Sequence, residues 1–227
     1  MRSRPHLLLT RAAGQNGSVR AVLADLAQLS ELPLIGFEGL PYALPTRLDR
    51  VVITSATVLQ FLDVGALGDV PVAAVGPRTQ QACLAAGLRV DVVPEQALAS
   101  ALLQALGAAG ALRGQRVLYP RAEDVSPELE QGLRSAGADL TSVAVYRTTC
   151  PAGARAALNK LGALDAVLLA SGSAATHLYQ IGGGGLPVFC IGPSTEKVAK
   201  DLGFEVLGVA QNHTSIGLAH CVLAHSF

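Results

Sequence analysis

Arg50-Val-Val-Ile-Thr-Ser-Ala-Thr57 resembles Ala166-Val-Leu-Leu-Ala-Ser-Gly-Ser173, 116 residues further on. Each stretch reads as a short buried strand, then a turn of small hydroxyl residues, then the start of a helical pattern. The same offset of 116 relates Ala74-Val-Gly-Pro-Arg-Thr79 to Cys190-Ile-Gly-Pro-Ser-Thr195, and Gly87 to Gly203. Three features sharing one spacing mark an internal repeat. Further back, Leu7-Leu-Leu-Thr-Arg11 matches Val117-Leu-Tyr-Pro-Arg121 at an offset of 110, and the apolar strands near Leu34–Phe37 and Val143–Tyr146 fall close to that offset. A loop six residues longer in the second half accounts for the change from 110 to 116.

Short apolar runs, apolar on both faces, give the strand candidates. In the first half they are His6–Leu9, Leu32–Phe37, Val51–Thr54, Val72–Val75 and Val90–Val93. In the second they are Arg116–Tyr119, Leu140–Tyr146, Ala166–Ala170, Val188–Ile191 and Glu205–Val209. Helical patterns fill Val19–Leu29, Thr79–Ala86, Leu98–Leu106, Pro127–Ala136, Ser173–Tyr179, Thr195–Leu202 and Ser215–Leu223. Gly87, Gly137 and Gly203 stand where a helix ends on glycine. The alternation predicts an α/β protein of two similar doubly wound parallel-sheet domains. Two proline-marked stretches, Leu32–Pro45 and Tyr146–Gly153, read as crossings between them. A cut near residue 110 fits this pattern. So does an interleaved chain, in which the first βα unit joins the C-terminal block and the middle folds apart.

Composition narrows the classes. Hydrophobic residues make up 50% and charged residues 15% of the 227, with a mean hydropathy of +0.41, which excludes a disordered chain. Seventeen basic residues balance seventeen acidic ones, which excludes a basic nucleic-acid binder. No apolar run approaches the ~20 residues of a membrane span. The start, Met1-Arg-Ser-Arg-Pro-His-Leu-Leu-Leu-Thr10, is basic, but its three leucines fall short of the about 7–15 apolar residues of a secretory signal. The expected location is therefore cytoplasmic. Cys83, Cys150, Cys190 and Cys221 form no close pair, and Cys83, Cys190 and Cys221 sit in apolar segments as small buried hydrophobes.

Ligands of open α/β sheets bind beyond the carboxyl ends of the strands. Those ends are Thr10-Arg11, Thr54-Ser55-Ala56-Thr57, Gly76-Pro77-Arg78-Thr79, Pro120-Arg121, Ser171-Gly172-Ser173 and Gly192-Pro193-Ser194-Thr195. Four of the six are small, hydroxyl-bearing turns that open a helix, where free N–H groups and the helix dipole attract anions. Facing each other across a cleft, two such domains would hold a ligand bearing several carboxylates or phosphates. Serine and threonine are also ordinary helix caps, and both readings of these turns stand. Other chemistries lack their residues: there is no GxGxxG after the first strand, no GxxxxGK[ST], no GxSxG and no carboxylate dyad. His6, His177, His213, His220 and His225 have no metal-ligand spacing. The glycine run Gly182–Gly185, ahead of Pro187, reads as a flexible loop. Tyr146 ends an apolar strand at a crossing, where its hydroxyl would face a cleft; Tyr119 is comparable, and Tyr42 and Tyr179 are weaker candidates.

In this order, the segments resemble the uroporphyrinogen-III synthase family. They are Leu8-Leu-Thr-Arg11, Val52-Ile-Thr-Ser55, Val75-Gly-Pro-Arg-Thr79 with Gly87, Val143-Ala-Val-Tyr-Arg-Thr148, Ser171-Gly-Ser173, Ile191-Gly-Pro-Ser-Thr195 with Leu202-Gly203, and His213-Thr-Ser-Ile216. The resemblance implies two α/β domains joined by a two-stranded connector, one from residues 1–33 and 150–227, the other from 36–146, with 34–35 and 147–149 between. It implies cyclisation of hydroxymethylbilane, a linear tetrapyrrole with eight carboxylates, to uroporphyrinogen III, with loss of water and inversion of ring D. It implies no cofactor and no metal, and a small-molecule tetrapyrrole as the one partner. Tyr146 matches the tyrosine that would protonate the leaving hydroxyl. Arg11, Thr54, Ser55, Gly76, Thr79, Arg121, Ser171, Gly172, Ser173, Gly192 and Thr195 match the turns that would hold substrate. The chain departs from common bacterial patterns at Ala56-Thr57-Val58 and at Arg121-Ala122. Balanced charge and no evident apolar patch favour a monomer. The rival classes are a non-catalytic two-domain binding protein for a polycarboxylate or other anion, a different enzyme on the scaffold such as a sugar-phosphate isomerase, and an inactive relative.

Overall fold

The computed structural model describes residues 4–12, 14–108 and 112–225. They fall into two compact units, one from Met1–Gly36 with Thr149–Phe227, the other from Phe37–Thr148. The chain begins with β1 (His6–Leu9), α1 (Gly17–Leu23) and β2 (Gln28–Glu31), which belong to the first unit. It then crosses to the second unit through β3 (Gly36–Gly39), β4 (Arg50–Ile53), a 3-10 turn (Ala56–Gln60), β5 (Val72–Ala74) and α2 (Pro77–Ala85). That unit continues with β6 (Val90–Val92), α3 (Ala99–Ala108), β7 (Arg116–Ala122), α4 (Glu128–Ser135) and β8 (Asp139–Thr149). The first unit resumes with α5 (Ala154–Asn159), β9 (Ala166–Leu169), α6 (Gly172–Leu178) and β10 (Val188–Cys190). It closes with α7 (Pro193–Asp201), β11 (Val206–Val209) and α8 (Ser215–Leu223).

The first unit's sheet has the order β11-β10-β9-β1-β2, with parallel pairing throughout. Alternate residues of its strands serve opposite faces. Leu8, Val167, Leu169 and Cys190 pack with α6 residues Ala174 and Leu178. Leu7, Leu9, Leu168 and Phe189 pack with Val19 and Leu23 of α1 and Leu218 and Val222 of α8. Burial on both faces is why these strands are continuously apolar. The second sheet, β3-β8-β7-β4-β5-β6, is built likewise: Val51, Ile53 and Leu118 face Cys83 of α2, while Val52, Val117 and Tyr119 face Leu102, Leu106 and Leu133 of α3 and α4.

The repeat holds at the level of hydrogen-bond register. Leu7 pairs with Ala166 as Val117 pairs with Arg50, and Val188 pairs with Val167 as Val72 pairs with Val51. The register shift after Val188 in the β10–β11 ladder recurs after Val72 in the β5–β6 ladder. At the opposite sheet end His6 N donates to Asp165 Oδ2 at 2.7 Å, and Arg116 N donates to Asp49 Oδ2 at 2.9 Å. Both helices that follow the shared Gly-Pro turn also end alike: Gly87 and Gly203 take φ of +82° and +83°, while Leu88 N donates to Cys83 O and Phe204 N to Ala199 O at 3.0 Å. The two units therefore share one strand order, but neither is a continuous half of the chain, and the arrangement is the interleaved one.

Several expected elements differ. The helix expected over Val19–Leu29 ends at Leu23, because Leu29 joins the sheet opposite Leu7. The strand expected over Leu32–Phe37 is two strands, β2 before it and β3 at its end. Leu32 N and Leu34 N still donate to Leu9 O and Thr10 O, but Pro33 between them has no N–H to donate. Tyr146 does not end its strand: β8 runs on to Thr149 with β3 beside it, Leu40 N donating to Val145 O at 2.9 Å. The segment after β4 is a 3-10 turn of five residues rather than a full helix, and α5 had no counterpart in the sequence reading. The glycine run begins inside a π-type turn, Tyr179–Gly183, that continues α6; Gly182 takes φ +98°, and Arg155 Nη2 donates to Gln180 O at 2.6 Å. Cys83 and Cys190 are buried, and loss of hydration pushes their thiols up to about 11 and about 12. Among the described residues no helix is long and apolar enough to cross a membrane, and no group of three His, Cys, Asp or Glu could hold a metal ion.

Candidate active site

Because the first unit's strands are all parallel, the turns after β1, β9, β10 and β11 open on one edge of the sheet. Arg11, Ser171, Gly172, Ser173, Gly192 and Thr195 therefore share that edge. The Ser171 side chain caps α6, accepting from Ala174 N at 3.1 Å, and Ser173 is exposed. Gly172 opens α6 where a Cβ would stand 3.0 Å from Val198 Cγ2, so its absence lets α6 pack close to α7. Gly192 caps α7 in an extended conformation, and Pro193 supplies the first helical residue without an N–H. The donors left at that end are the backbone N–H groups of Ser194 and Thr195. Thr195 itself is buried.

The guanidinium of Arg11 is held by two neutral groups. Nη1 donates to Ser215 Oγ at 2.5 Å and Nη2 to Gln15 Oε1 at 3.2 Å. No carboxylate pairs with it among the described residues, so its charge is not cancelled locally. Thr10, beside it, is buried and its hydroxyl donates to Leu168 O at 2.7 Å, which ties the β1 turn to β9.

The second unit repeats the edge at β4 and β5. Ser55 Oγ accepts from Thr57 N at 3.2 Å, Thr54 is half-buried, and Gly76 caps α2 ahead of Pro77 with Thr79 buried behind it. The loop after the edge strand presses on the Gly-Pro turn in both units: a Cβ on Gly76 would stand 2.7 Å from Ala97 Cβ, and one on Gly192 3.0 Å from the His213 ring. Position 121 differs from its counterpart Arg11. Arg121 lies within β7, donates through Nε to Ser142 Oγ at 2.9 Å and through Nη1 to Ala122 O and Glu123 O, and faces Glu130 at 3.8 Å. The Ser142 hydroxyl and then Arg134 hold the Glu130 carboxyl below its usual range. Arg121 is thus engaged in closing its own strand end.

Tyr146 is 7% exposed. Its ring stacks on Phe61, centroids 5.3 Å apart at 21°, and meets Phe37 edge to face at 5.5 Å and 88°. No described side chain or backbone group hydrogen-bonds its hydroxyl, so the oxygen is left to a ligand or to water. Among the other described tyrosines only Tyr42 has its hydroxyl hydrogen-bonded, accepting from Asp63 N at 2.6 Å; Tyr119 is buried in the core, and Tyr179 lies half-exposed against Phe204.

The sequence reading counts Thr214 and Ser215 in the family segment His213–Ile216 but not among the site residues, and it does not single out Gln15. Thr214 caps α8, its Oγ1 accepting from Gly217 N at 3.0 Å, and Ser215 binds Arg11. The signal was present, since Thr214-Ser215 is one more hydroxyl turn after a strand. Phe37 and Phe61 carried no signal, because the pairing of β3 with β8 brings Phe37 to Tyr146 and the turn after β4 brings Phe61.

Residues 21–220 match the family model described as Uroporphyrinogen-III synthase HemD. A protein of Synechococcus elongatus named uroporphyrinogen-III synthase is 28% identical over 93% of this chain and 92% of its own length. A protein of Methanothermobacter thermautotrophicus, provisionally given the same name, is 34% identical over 51% of this chain, and that match spans 47% of its length. Among solved structures, uroporphyrinogen-III synthetase from Helicobacter pylori shares the fold with a TM-score of 0.69 at 16% identity, over 97% of this chain and 99% of that one. A mutant synthase of Thermus thermophilus gives 0.54 at 15%, over 95% and 96%.

Proposed function

This chain belongs to the uroporphyrinogen-III synthase family, and from that premise we propose that it closes hydroxymethylbilane into uroporphyrinogen III with loss of water and inversion of ring D. The observation that carries the reading is the repeated strand edge: in both units helix-opening turns present unpaired N–H groups and hydroxyls. Backbone donors of this kind suit a flexible ligand with eight carboxylates in a chain of zero net charge with lysine only at positions 160, 197 and 200.

Arg11, Thr54, Ser55, Gly76, Thr79, Ser171, Gly172, Ser173, Gly192 and Thr195 hold the substrate through these turns, while Arg121, engaged by Ser142 and Glu130, braces the end of β7. Unassisted closure gives the uninverted isomer, so the larger part of catalysis is orientation: the chain must be folded so that the substituted position of ring D attacks. Tyr146, with its hydroxyl unpartnered, donates the proton that lets the hydroxyl leave as water. The units given by Met1–Gly36 with Thr149–Phe227 and by Phe37–Thr148 act as the two domains. The enzyme works as a cytoplasmic monomer; the large exposed apolar residues, such as Leu26, Leu84, Leu98 and Ile216, come from separate elements.

The test supplies the protein with hydroxymethylbilane made in situ by the deaminase that produces it, oxidises the products and separates the type I and type III isomers. Predominantly type III product supports the reading. Type I alone, at the rate without protein, overturns it and favours a non-catalytic binder of polycarboxylates. Light scattering at assay concentration reads the monomer.

A further inference from the structure

We propose that Phe61 is a positioning residue for Tyr146: its stacked ring fixes the direction of the hydroxyl that donates the leaving-group proton. The proposal rests on the reading of Tyr146 given above.

The tyrosine oxygen lies on the axis of its ring, so a partner that fixes the ring's plane and axis fixes the oxygen and leaves only the O–H torsion free. Phe61 takes one face of Tyr146 at 5.3 Å and Phe37 meets it at 88°. Two residues on from Phe37, and so on the same face of β3, stands Gly39, where a Cβ would come within 3.2 Å of Phe61 Cδ1. The strand thus offers a perpendicular ring to the tyrosine and an empty place to the phenylalanine. Phe61 also follows directly on the 3-10 turn Ala56–Gln60 that Ser55 caps, so the turn proposed to hold substrate and the ring that holds Tyr146 are one short segment.

The repeat supplies an internal control. Position 61 corresponds to 177 at the offset of 116, and His6–Gln28 set against Arg116–Asp139 places position 34 opposite 145 and 35 opposite 146. In the first unit His177 Nδ1 donates to Leu34 O at 2.6 Å, and an isoleucine, Ile35, stands where Tyr146 would be. In the second unit Val145 O takes Leu40 N instead, and the aromatic pair occupies the place of the imidazole. One scaffold closes at this point with and without the stack. The fold does not require Phe61 on Tyr146, and Phe37, still 43% exposed, adds an apolar surface that folding does not call for.

The experiment measures kcat and KM for type III formation in Phe61→Leu, Phe61→Tyr, Tyr146→Phe and the double variant Phe61→Leu/Tyr146→Phe, with near-UV circular dichroism alongside. With no tryptophan and four tyrosines in the chain, that spectrum reads tyrosine packing. Phe61→Leu should lower kcat about tenfold, the equivalent of losing one aromatic stack, with KM changed less than about twofold. Phe61→Tyr should restore kcat, and Phe61→Leu should lower it no further once Tyr146→Phe is present. The signal lost in Tyr146→Phe should also weaken in Phe61→Leu. Equal losses in both tyrosine backgrounds, or an unchanged kcat in Phe61→Leu while Tyr146→Phe is impaired, would overturn the positioning role and leave Tyr146 in place. A Tyr146→Phe enzyme with wild-type kcat removes the tyrosine and the positioning role together. Should Phe61→Leu unfold, Phe61→Met, which keeps volume but not the ring plane, carries the same comparison.

Discussion

The two Gly-Pro turns allow a perturbation to be compared with its own duplicate. Gly76 and Gly192 sit at φ −179° and −178°, an extended backbone open to any residue, so Gly→Ala at either site is a steric test without backbone strain. At Gly76 the new methyl would stand 2.7 Å from Ala97 Cβ and 3.4 Å from Ala97 Cα. Carbon atoms prefer about 3.5–4.0 Å, and an alanine has no rotamer to turn, so the backbone after β6 must shift by about 1 Å. Overpacking of this kind costs about 1–3 kcal/mol, and the reduced freedom of the unfolded chain returns about 0.4–1 kcal/mol. Ala97 is exposed and its loop can yield outward, which puts the net loss for Gly76→Ala at about 1 kcal/mol. At Gly192 the nearest atoms are His213 Cδ2, Cγ and Nε2 at 3.0, 3.1 and 3.3 Å, on an exposed ring that can rotate away. Gly192→Ala should therefore lie within about 0.5 kcal/mol of the parent. Urea unfolding followed by far-UV circular dichroism, with m unchanged, reads both values. A Gly192→Ala protein as destabilised as Gly76→Ala, or two neutral variants, would refute this account of how the edge loops pack.

Three further outcomes follow from the site and the ion pairs. Ser171→Ala, which removes the cap on Ala174 N, should cost about 1 kcal/mol in urea unfolding, whereas Ser171→Asp should keep stability but raise KM, because its carboxylate meets those of the substrate. Arg11→Gln should raise KM and flatten its dependence on ionic strength; an unchanged salt profile would take Arg11 out of substrate binding. The Arg116 guanidinium, and next its N–H, hold the Asp49 carboxyl well below the usual carboxylate range. Its folded pKa lies below its unfolded value of about 3.9, so its contribution is full above that value and is lost as pH falls through the folded one. Asp49→Asn should lower the urea midpoint at pH 7 and make its decline between pH 5 and pH 2 shallower, and a decline as steep as the parent's would contradict the assignment.

Much of this molecule is a property of the sequence alone. Strands such as Val51-Val-Ile53 and Ala166-Val-Leu-Leu169 are apolar on both faces because both faces are covered, and that pattern is local enough to be read off the chain. The repeat at 116 set in advance that the two units would be alike, since equal patterns fold to equal registers. The hydroxyl turns were legible for the same reason, as a cap and its helix lie within a few residues of each other.

What the tertiary structure decided depends on residues far apart in the chain. Periodicity allowed a cut near residue 110. Contacts such as Leu7 with Ala166 chose the interleaved arrangement, because an apolar strand carries no label for its partner. Arg11 and Arg121 look alike in sequence, and only the partners that pairing brings, Ser215 for one and Ser142 with Glu130 for the other, separate an uncancelled charge from an engaged one. The seat of Tyr146 belongs to the same class: Phe37, Phe61 and Tyr146 come from three segments, and their meeting depends on β3 lying beside β8 and on the turn after β4 packing against Tyr146. Local chemistry determined the elements and their turns, while the distant pairings determined which side chains share a site.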